Sequence, residues 1–197
     1  MIDLERLDFA KGAGLVPVVA QHADTGEVLL LAYANREALE RSERDGALWF
    51  YSRSRARLWR KGETSGNELR VVSLHADCDA DAVLALVRPS GPACHTGARS
   101  CFGAPPLLVE LADALRARTE SLPGGSYTAR LLTDANLRLK KLGEEAVELA
   151  TALARDDAEA ARAEAADLFY HLLVAALAAG IHPEDILAEL RRRRGGE

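Results

Sequence analysis

The composition of the chain changes at Gly103-Ala104-Pro105-Pro106-Leu107, and this change divides the rest of the sequence. All three cysteines, both tryptophans and most of the glycines precede it, whereas alanine, leucine and glutamate dominate the residues that follow. Two successive prolines are typical of a linker, because neither donates a backbone hydrogen bond and each stiffens the chain. We therefore predict one domain at 1–103, a linker at 104–106 and a second domain at 107–197.

The first half of the chain has the pattern of a β-sheet. Short runs rich in valine, leucine and aromatic residues are separated by turn residues such as Asp24-Thr25-Gly26. The runs lie at 16–20, 28–33, 48–51, 70–75 and 82–87. They predict a mostly antiparallel sheet, interrupted by one helix that Asn35 caps and that ends near Gly46.

The second half has apolar residues at helical spacing throughout. It predicts helices at 107–120, from Ser126 or Thr128 to about 154, at 158–179, and from Pro183 onward. Breaks are expected at 123–125 and at Asp156-Asp157. The expected fold class is α+β overall, with a β-rich N-terminal domain followed by an all-α C-terminal helical domain.

The net charge and the apolar runs of the sequence indicate whether the chain binds nucleic acid or a membrane. Lysine and arginine number 25 against 30 aspartates and glutamates, so no overall basic field exists to hold nucleic acid. The longest apolar run, 168–181, is shorter than the ~20 residues that a bilayer span needs. No export leader is recognisable after Met1. We expect a cytoplasmic protein with neither a nucleic-acid nor a membrane partner.

The three cysteines lie close to three alternating carboxylates. In Asp77-Cys78-Asp79-Ala80-Asp81, an extended backbone would place the carboxylates on one side and the thiol on the other. Carboxylate oxygens suit Mg²⁺, whereas thiolate sulfur suits Zn²⁺. Cys94, His95 and Cys101 add two thiols and an imidazole downstream.

Three thiolates would leave one open position on a tetrahedral zinc ion, as at catalytic sites. A fourth ligand, from His75 or His95, would instead close the site and make it structural. Buried thiols without metal and a solvated aspartate loop remain open from the residues alone. Between Tyr51 and Asn67, arginine and lysine are interleaved with serine, threonine and glycine, which suits either a phosphate site or an exposed basic hairpin.

The order of these motifs closely resembles phosphoribosyl-AMP cyclohydrolase of histidine biosynthesis over nearly all of 1–103. The motifs are Ser52-Arg53-Ser54-Arg55, Trp59 with Lys61-Gly62-Glu63-Thr64-Ser65-Gly66-Asn67, residues 77–81, and Gly91-Pro92-Ala93-Cys94-His95-Thr96-Gly97 with Ser100-Cys101. Arg60 departs from the family pattern, where histidine is usual.

The resemblance implies a zinc domain that opens the adenine ring of phosphoribosyl-AMP by zinc-activated attack of water. It implies Zn²⁺ bound by Cys78, Cys94 and Cys101, with Cys78 supplied by the partner subunit of a homodimer. It also implies Mg²⁺ at Asp77, Asp79 and Asp81. We expect His95 to handle the proton. The expected substrate-binding residues are Arg53, Arg55, Lys61, Glu63 and Ser65.

Four carboxylates form a second constellation in the helical half. Glu145 with Glu148, and Glu164 with Asp167, are i,i+3 pairs and share a helical face. Inward-facing carboxylates repel one another unless a cation joins them, although a solvated acidic face is the alternative. A bound Mg²⁺ would also hold substrate phosphates, with Lys140 and Lys141 adding positive charge.

The helical half looks like phosphoribosyl-ATP pyrophosphohydrolase over about 107–194. The motifs are Gly125-Ser126-Tyr127-Thr128, Lys140-Lys141-Leu142-Gly143-Glu144-Glu145-Ala146-Val147-Glu148 and Glu164-Ala165-Ala166-Asp167-Leu168-Phe169-Tyr170-His171. The two resemblances together imply a bifunctional histidine-biosynthesis hydrolase that acts on two consecutive nucleotide substrates. The alternatives are a general nucleoside triphosphate pyrophosphohydrolase carrying a zinc-stabilised binding domain, and a zinc-stabilised binding module with an acidic dimerisation domain.

Overall fold

The computed structural model describes residues 2–121 and 125–194. The chain divides into two compact units, an N-terminal unit at Met1–Pro106 and a C-terminal unit at Leu107–Glu197. Strands, one α-helix and a short 3-10 helix at Leu4–Arg6 make up the first unit and helices the second, which confirms the α+β class with a β-rich part followed by a helical part.

The N-terminal unit is built on a four-stranded sheet with the strand order β2-β1-β6-β5. Its elements are β1 (Val16–His22), β2 (Val28–Ala34), α1 (Arg36–Asp45), β3 (Trp49–Ser52), β4 (Arg57–Arg60), β5 (Leu69–Ala76) and β6 (Val83–Pro89). β1 pairs with β6 in parallel, and the other pairings are antiparallel. All five predicted strands are present, and β4, which pairs with β3 in a separate ribbon, is additional.

The two faces of this sheet differ in burial because side chains alternate along each strand. Across the sheet, Leu30, Ala20, Ala85 and Leu74 are register partners, and all four are buried. The next row carries Leu31 and Leu84 on either side of Val19, and these leucines are 49% and 36% exposed. The inner face therefore forms the core of the unit, and the outer face presents an apolar surface.

The C-terminal unit has five helices in the part of the chain that the structure describes. They are α2 (Leu107–Ser121), α3 (Tyr127–Thr133), α4 (Ala135–Ala154), α5 (Ala158–Ala178) and α6 (Pro183–Arg194). Leu115, Leu131, Leu173 and Val174 form its buried core. No single described helix has the length and apolarity of a bilayer span, and α5 with α6, bent by 104°, meets that test only as a pair.

The prediction of one helix from Ser126 or Thr128 to about 154 is wrong, because Asp134 interrupts it. Asp134 has an extended backbone, and its side chain accepts the backbone N–H of Leu137 at 3.0 Å, which caps α4. Arg138 donates to the carbonyls of Leu131 and Leu132 at 2.7 and 3.0 Å, satisfying the last turn of α3. The expected break at 123–125 lies mostly outside the described residues.

The turn predicted at Asp156-Asp157 is confirmed and joins α4 to α5. Asp156 has a positive φ of 54°, and Asp157 caps α5 by accepting the backbone N–H of Ala160 at 3.0 Å. Because only three residues separate the two long helices, they run antiparallel and pack along their lengths. This hairpin brings the carboxylates of both helices onto facing surfaces.

Candidate functional site

The three alternating aspartates converge at the turn between β5 and β6. One carboxylate oxygen from each of Asp77, Asp79 and Asp81 lies within 4.8 Å of the others. The backbone is a turn here rather than the extended segment that the sequence analysis considered. Asp77 shapes it by accepting the backbone N–H groups of Asp81 and Ala82 at 3.0 and 3.1 Å.

Lys11 supplies a positive charge to this cluster, and no motif in the sequence indicated it. Its Nζ lies 2.8 Å from Asp79 Oδ2 and also contacts Asp81. These contacts raise the pKa of Lys11 above its ordinary value and lower the pKa of Asp79. Asp8 holds the segment in place, because its side chain accepts the backbone N–H of Lys11 at 3.1 Å.

Cys94 and Cys101 meet across the loop that follows β6. Cys94 N donates to Ala98 O at 3.0 Å, which closes the loop on itself. At the other end, Ser100 Oγ donates to Val28 O at 2.7 Å, and Cys101 N donates to Leu29 O at 2.8 Å. The loop is therefore fixed to β2, and the sulfur atoms interact with each other.

The two thiols of this loop differ in acidity. Thr96 Oγ1 donates to Cys94 Sγ at 3.1 Å and lowers the pKa of Cys94. Partial burial, followed by the nearby Cys94, raises the pKa of Cys101. A thiol with a lowered pKa is the more ready metal ligand, because the thiolate is the binding form. His95 lies beside the pair, with Nδ1 3.8 Å from Cys94 Sγ.

Cys78 lies in the aspartate turn, apart from the other two cysteines. All three cysteines are unpaired. Within residues 2–121 and 125–194, two groups of three His, Cys, Asp or Glu ligand atoms come together, and neither includes a cysteine. A single chain therefore brings two thiols to the loop site and leaves the third elsewhere.

The predicted phosphate-binding residues lie on and after the β3–β4 ribbon. The Arg53 guanidinium stacks 3.9 Å from the centre of the Tyr33 ring, and Arg55 is exposed. Lys61 lies close enough to Cys101 to act against the rise in its pKa. Ser65 Oγ accepts the backbone N–H of Asn67 at 3.3 Å.

Arg60, the last residue of β4, contacts two carboxylates of the segment that follows the ribbon. Glu63 Oε2 accepts the backbone N–H of Arg60 at 3.2 Å. The guanidinium of Arg60 pairs with Glu68 at 3.1 Å. The residue that departs from the family pattern is thus a permanently charged group with a carboxylate partner.

The second acidic cluster lies between α4 and α5. Carboxylate oxygens of Glu145, Glu164 and Asp167 lie within 4.8 Å of one another. Burial, followed by the charges of Glu148, Glu145 and Asp167, raises the pKa of Glu164. Glu148 therefore acts electrostatically on the group, although its oxygens lie outside the 4.8 Å set.

Lysines border this cluster on α4. Lys141 Nζ lies 3.1 Å from Glu144 Oε2 and 3.5 Å from Glu145 Oε1, and Lys140 Nζ lies 3.3 Å from Glu144 Oε1. Both lysines are thus engaged with carboxylates, mainly with Glu144 at the rim. The net charge of the acidic cluster together with these two lysines is therefore still negative.

Several buried or half-buried polar residues lie behind the cluster, among them His171. The sequence motif of α5 contained His171 but indicated no role for it. His171 Nε2 lies 3.7 Å from Glu145 Oε1 and 3.5 Å from the hydroxyl of Tyr127. Thr128 and Tyr170 share a hydrogen bond of 2.7 Å beside it. The sequence feature that could have indicated a role is the position of His171 in the apolar run of α5, because a buried polar residue needs a hydrogen-bonding or charged partner.

Comparison with known proteins finds a matching family for each of the two units. Residues 30–103 match the family model for phosphoribosyl-AMP cyclohydrolase, and residues 108–194 match that for phosphoribosyl-ATP pyrophosphohydrolase. The chain is 46% identical to the histidine biosynthesis bifunctional protein HisIE of Thermotoga maritima, over 91% of this chain and 98% of the relative. The HisIE protein of Thermus thermophilus is 48% identical, over 98% and 94%. That of Escherichia coli K12 is 45% identical, over 95% of each.

Proposed function

The chain belongs to the HisIE family of bifunctional histidine-biosynthesis enzymes, and on that premise we propose that each of its two units works with metal ions of its own, zinc and Mg²⁺ in the first and Mg²⁺ in the second. The chain hydrolyses phosphoribosyl-ATP to phosphoribosyl-AMP and pyrophosphate, and it opens the adenine ring of phosphoribosyl-AMP. The alternative of a general nucleoside triphosphate pyrophosphohydrolase with a zinc-stabilised binding domain lacks support, because both halves match enzymes of one pathway.

For the N-terminal unit we propose a zinc site that contains Cys94 and Cys101. The observation that carries this proposal is a loop that brings Cys94 and Cys101 close enough for each thiol to affect the pKa of the other, with the pKa of Cys94 lowered chiefly by Thr96. Zinc, when bound, lowers the pKa of water towards neutrality, which ring opening by water requires. His95 is placed beside the thiols to accept the proton of the attacking water.

The same unit has residues suited to hold the substrate and Mg²⁺. Arg53, Arg55 and Lys61 offer positive charge to the phosphates, and Glu63 and Ser65 lie in the turn that follows the ribbon. Asp77, Asp79 and Asp81 form an oxygen cluster of the kind that Mg²⁺ prefers. Elemental analysis tests both metals: we expect Cys94→Ser to lose zinc and keep its Mg²⁺, and Asp79→Asn to keep zinc and lose only the Mg²⁺ of the N-terminal unit.

We propose that Cys78 completes the zinc site of a second copy in a homodimer. Two observations support this: Cys78 does not join the other thiols within one chain, and the outer face of the sheet leaves Leu31 and Leu84 exposed. An apolar sheet face of this kind suits a two-fold contact with an identical surface.

Mixing two inactive variants tests this sharing. We expect Cys78→Ser and Cys101→Ser each to lose ring opening. Refolded together, they would recover about a quarter of the wild-type activity, because random pairing makes half the dimers mixed and gives each mixed dimer one complete site. Recovery that stays at the level of the separate variants would contradict the shared site.

For the C-terminal unit we propose a Mg²⁺ site formed by Glu145, Glu148, Glu164 and Asp167. The convergence of three of these carboxylates, with the raised pKa of Glu164, carries the proposal, because a cation relieves their repulsion. Mg²⁺, when bound, stabilises the charge that develops on the phosphates. Lys140 and Lys141 add positive charge at the rim of the cluster. Glu164→Gln should abolish pyrophosphate release and leave ring opening unchanged.

We also propose a cytoplasmic location. Three cysteines without disulfides suit a reducing compartment, and the nucleotide substrates belong to histidine biosynthesis. Fractionation of cells with an antibody to the chain tests this proposal.

A further inference from the structure

A buried imidazole faces a buried carboxylate behind the helical acidic cluster. His171 on α5 is 5% exposed and Glu145 on α4 is 6% exposed. Apart from Glu145, the only buried residue of α4 is Ala152, so this carboxylate is the sole charged group that the helix buries. The nearest atoms of the pair, Nε2 and Oε1, are 3.7 Å apart.

The hydrogen-bonding state of the ring follows from its other nitrogen. Among the residues that the structure describes, His171 Nδ1 is buried without a hydrogen-bond partner. A proton on Nδ1 would be an unsatisfied buried donor, which is less favourable than an unused lone pair. The proton therefore belongs on Nε2, which faces Glu145 Oε1 and the Tyr127 hydroxyl, 3.5 Å away.

Among the described residues, one other cationic group lies within ion-pair range of Glu145, and it is a poorer anchor. Lys141 Nζ lies 3.5 Å from Glu145 Oε1, but its side chain is 34% exposed and lies closer to Glu144, at 3.1 Å. A lysine ammonium also neutralises the charge that a bound cation needs. An imidazole N–H on the buried side of Glu145 can instead orient the carboxylate.

We propose that His171 is a positioning residue, which holds the carboxylate of Glu145 towards the cation site that it shares with Glu164 and Asp167. This inference rests on the proposed metal site of the C-terminal unit. His171 acts through Glu145 and does not bind the cation or the substrate itself. Groups behind metal ligands commonly affect metal affinity by about 10- to 100-fold.

Calorimetric titration with Mn²⁺ tests the proposal on the full chain. Asp77, Asp79 and Asp81 are first replaced together by asparagine, so that the Mn²⁺ signal comes from the helical unit. In this background, His171→Leu removes the N–H donor and should weaken Mn²⁺ binding about 10-fold. His171→Gln places an amide N–H near the position of Nε2 and should restore affinity to within about threefold. His182→Leu, an exposed histidine before α6, is the matched control and should leave binding unchanged.

Thermal unfolding of the metal-free variants separates positioning from packing. The proposal holds if His171→Gln binds Mn²⁺ more tightly than His171→Leu while the two metal-free variants unfold at similar temperatures. It is overturned if His171→Leu binds Mn²⁺ as tightly as its parent, or if His171→Gln binds as weakly as His171→Leu. In the same background, Glu145→Gln with unchanged Mn²⁺ binding would instead overturn the metal site itself, and the positioning role with it.

Discussion

Arg99 holds the thiol loop through an ion pair with a buried carboxylate, and its removal should destabilise the N-terminal unit. Arg99 Nε lies 2.8 Å from Glu27 Oε2, and the Glu27 side chain is 2% exposed. The contact is a charge pair rather than an aligned hydrogen bond. Arg99→Leu would leave the Glu27 carboxylate buried without this positive partner.

The size of the effect follows from the exposure of the two groups. Removing one member of a fully buried pair costs about 3–5 kcal/mol, whereas an exposed pair contributes about 0–1 kcal/mol. Because Arg99 is 42% exposed, solvent screens the pair, and we expect a loss of about 2 kcal/mol. For a domain of this size that loss lowers the unfolding temperature by roughly 10 °C.

Tryptophan fluorescence measures this loss in the N-terminal unit alone, because Trp49 and Trp59 are the two tryptophans of the chain and both lie in it. Arg88→Leu is the control. Arg88 forms a bidentate pair with Asp24 at 2.9 and 3.1 Å, but its side chain is 59% exposed, so we expect a loss below about 1 kcal/mol.

Adding Glu27→Gln to Arg99→Leu should recover part of the lost stability, because the buried charge is then gone. The loop carries Cys94 and Cys101, so Arg99→Leu should also reduce zinc retention. Equal losses for Arg99→Leu and Arg88→Leu would refute the reasoning that burial of Glu27 sets the energy of the pair.

Three further predictions follow from the contacts described above. Lys11→Met removes the ammonium that competes with a metal at the aspartate turn, so Mg²⁺ should bind several-fold more tightly by calorimetry; unchanged or weaker binding would contradict this. Burial and the neighbouring carboxylates raise the pKa of Glu164 in the folded chain, so the metal-free helical unit should lose stability as pH rises above the ordinary glutamate pKa of about 4.3. Divalent metal should reduce that dependence in thermal melts followed by circular dichroism. Gly62 and Gly66 both have positive φ, but only at Gly62 would a Cβ lie 2.6 Å from the backbone of Asn67. Gly62→Ala should therefore destabilise the N-terminal unit by more than Gly66→Ala. Equal losses would show that the close approach is relieved at little cost.

Five of the six strands, the helix capped by Asn35 and the turn at Asp156-Asp157 were predictable, because each depends on residues close together in sequence. The separation of α3 from α4 was not, since Asp134 lies within a continuous helical pattern. Its capping bond to Leu137 and the reach of Arg138 back to α3 become visible only in three dimensions.

The candidate ligands were predictable as residue types, and their surroundings were not. The spacing of the aspartates and of the four helical carboxylates predicted them as ligands. Lys11 was not predictable, because it lies far along the chain from Asp79 and joins it only through the fold. The role of His171 was not predictable either, because its contact with Glu145 depends on how α5 packs against α4.

Product analysis with phosphoribosyl-ATP as the supplied substrate tests the central claim, which is that each unit performs one step at its own site. We predict that Cys101→Ala releases pyrophosphate at the wild-type rate and accumulates phosphoribosyl-AMP. Glu148→Gln should release no pyrophosphate, yet open the ring when phosphoribosyl-AMP is supplied. Loss of both activities in either variant would contradict two independent sites.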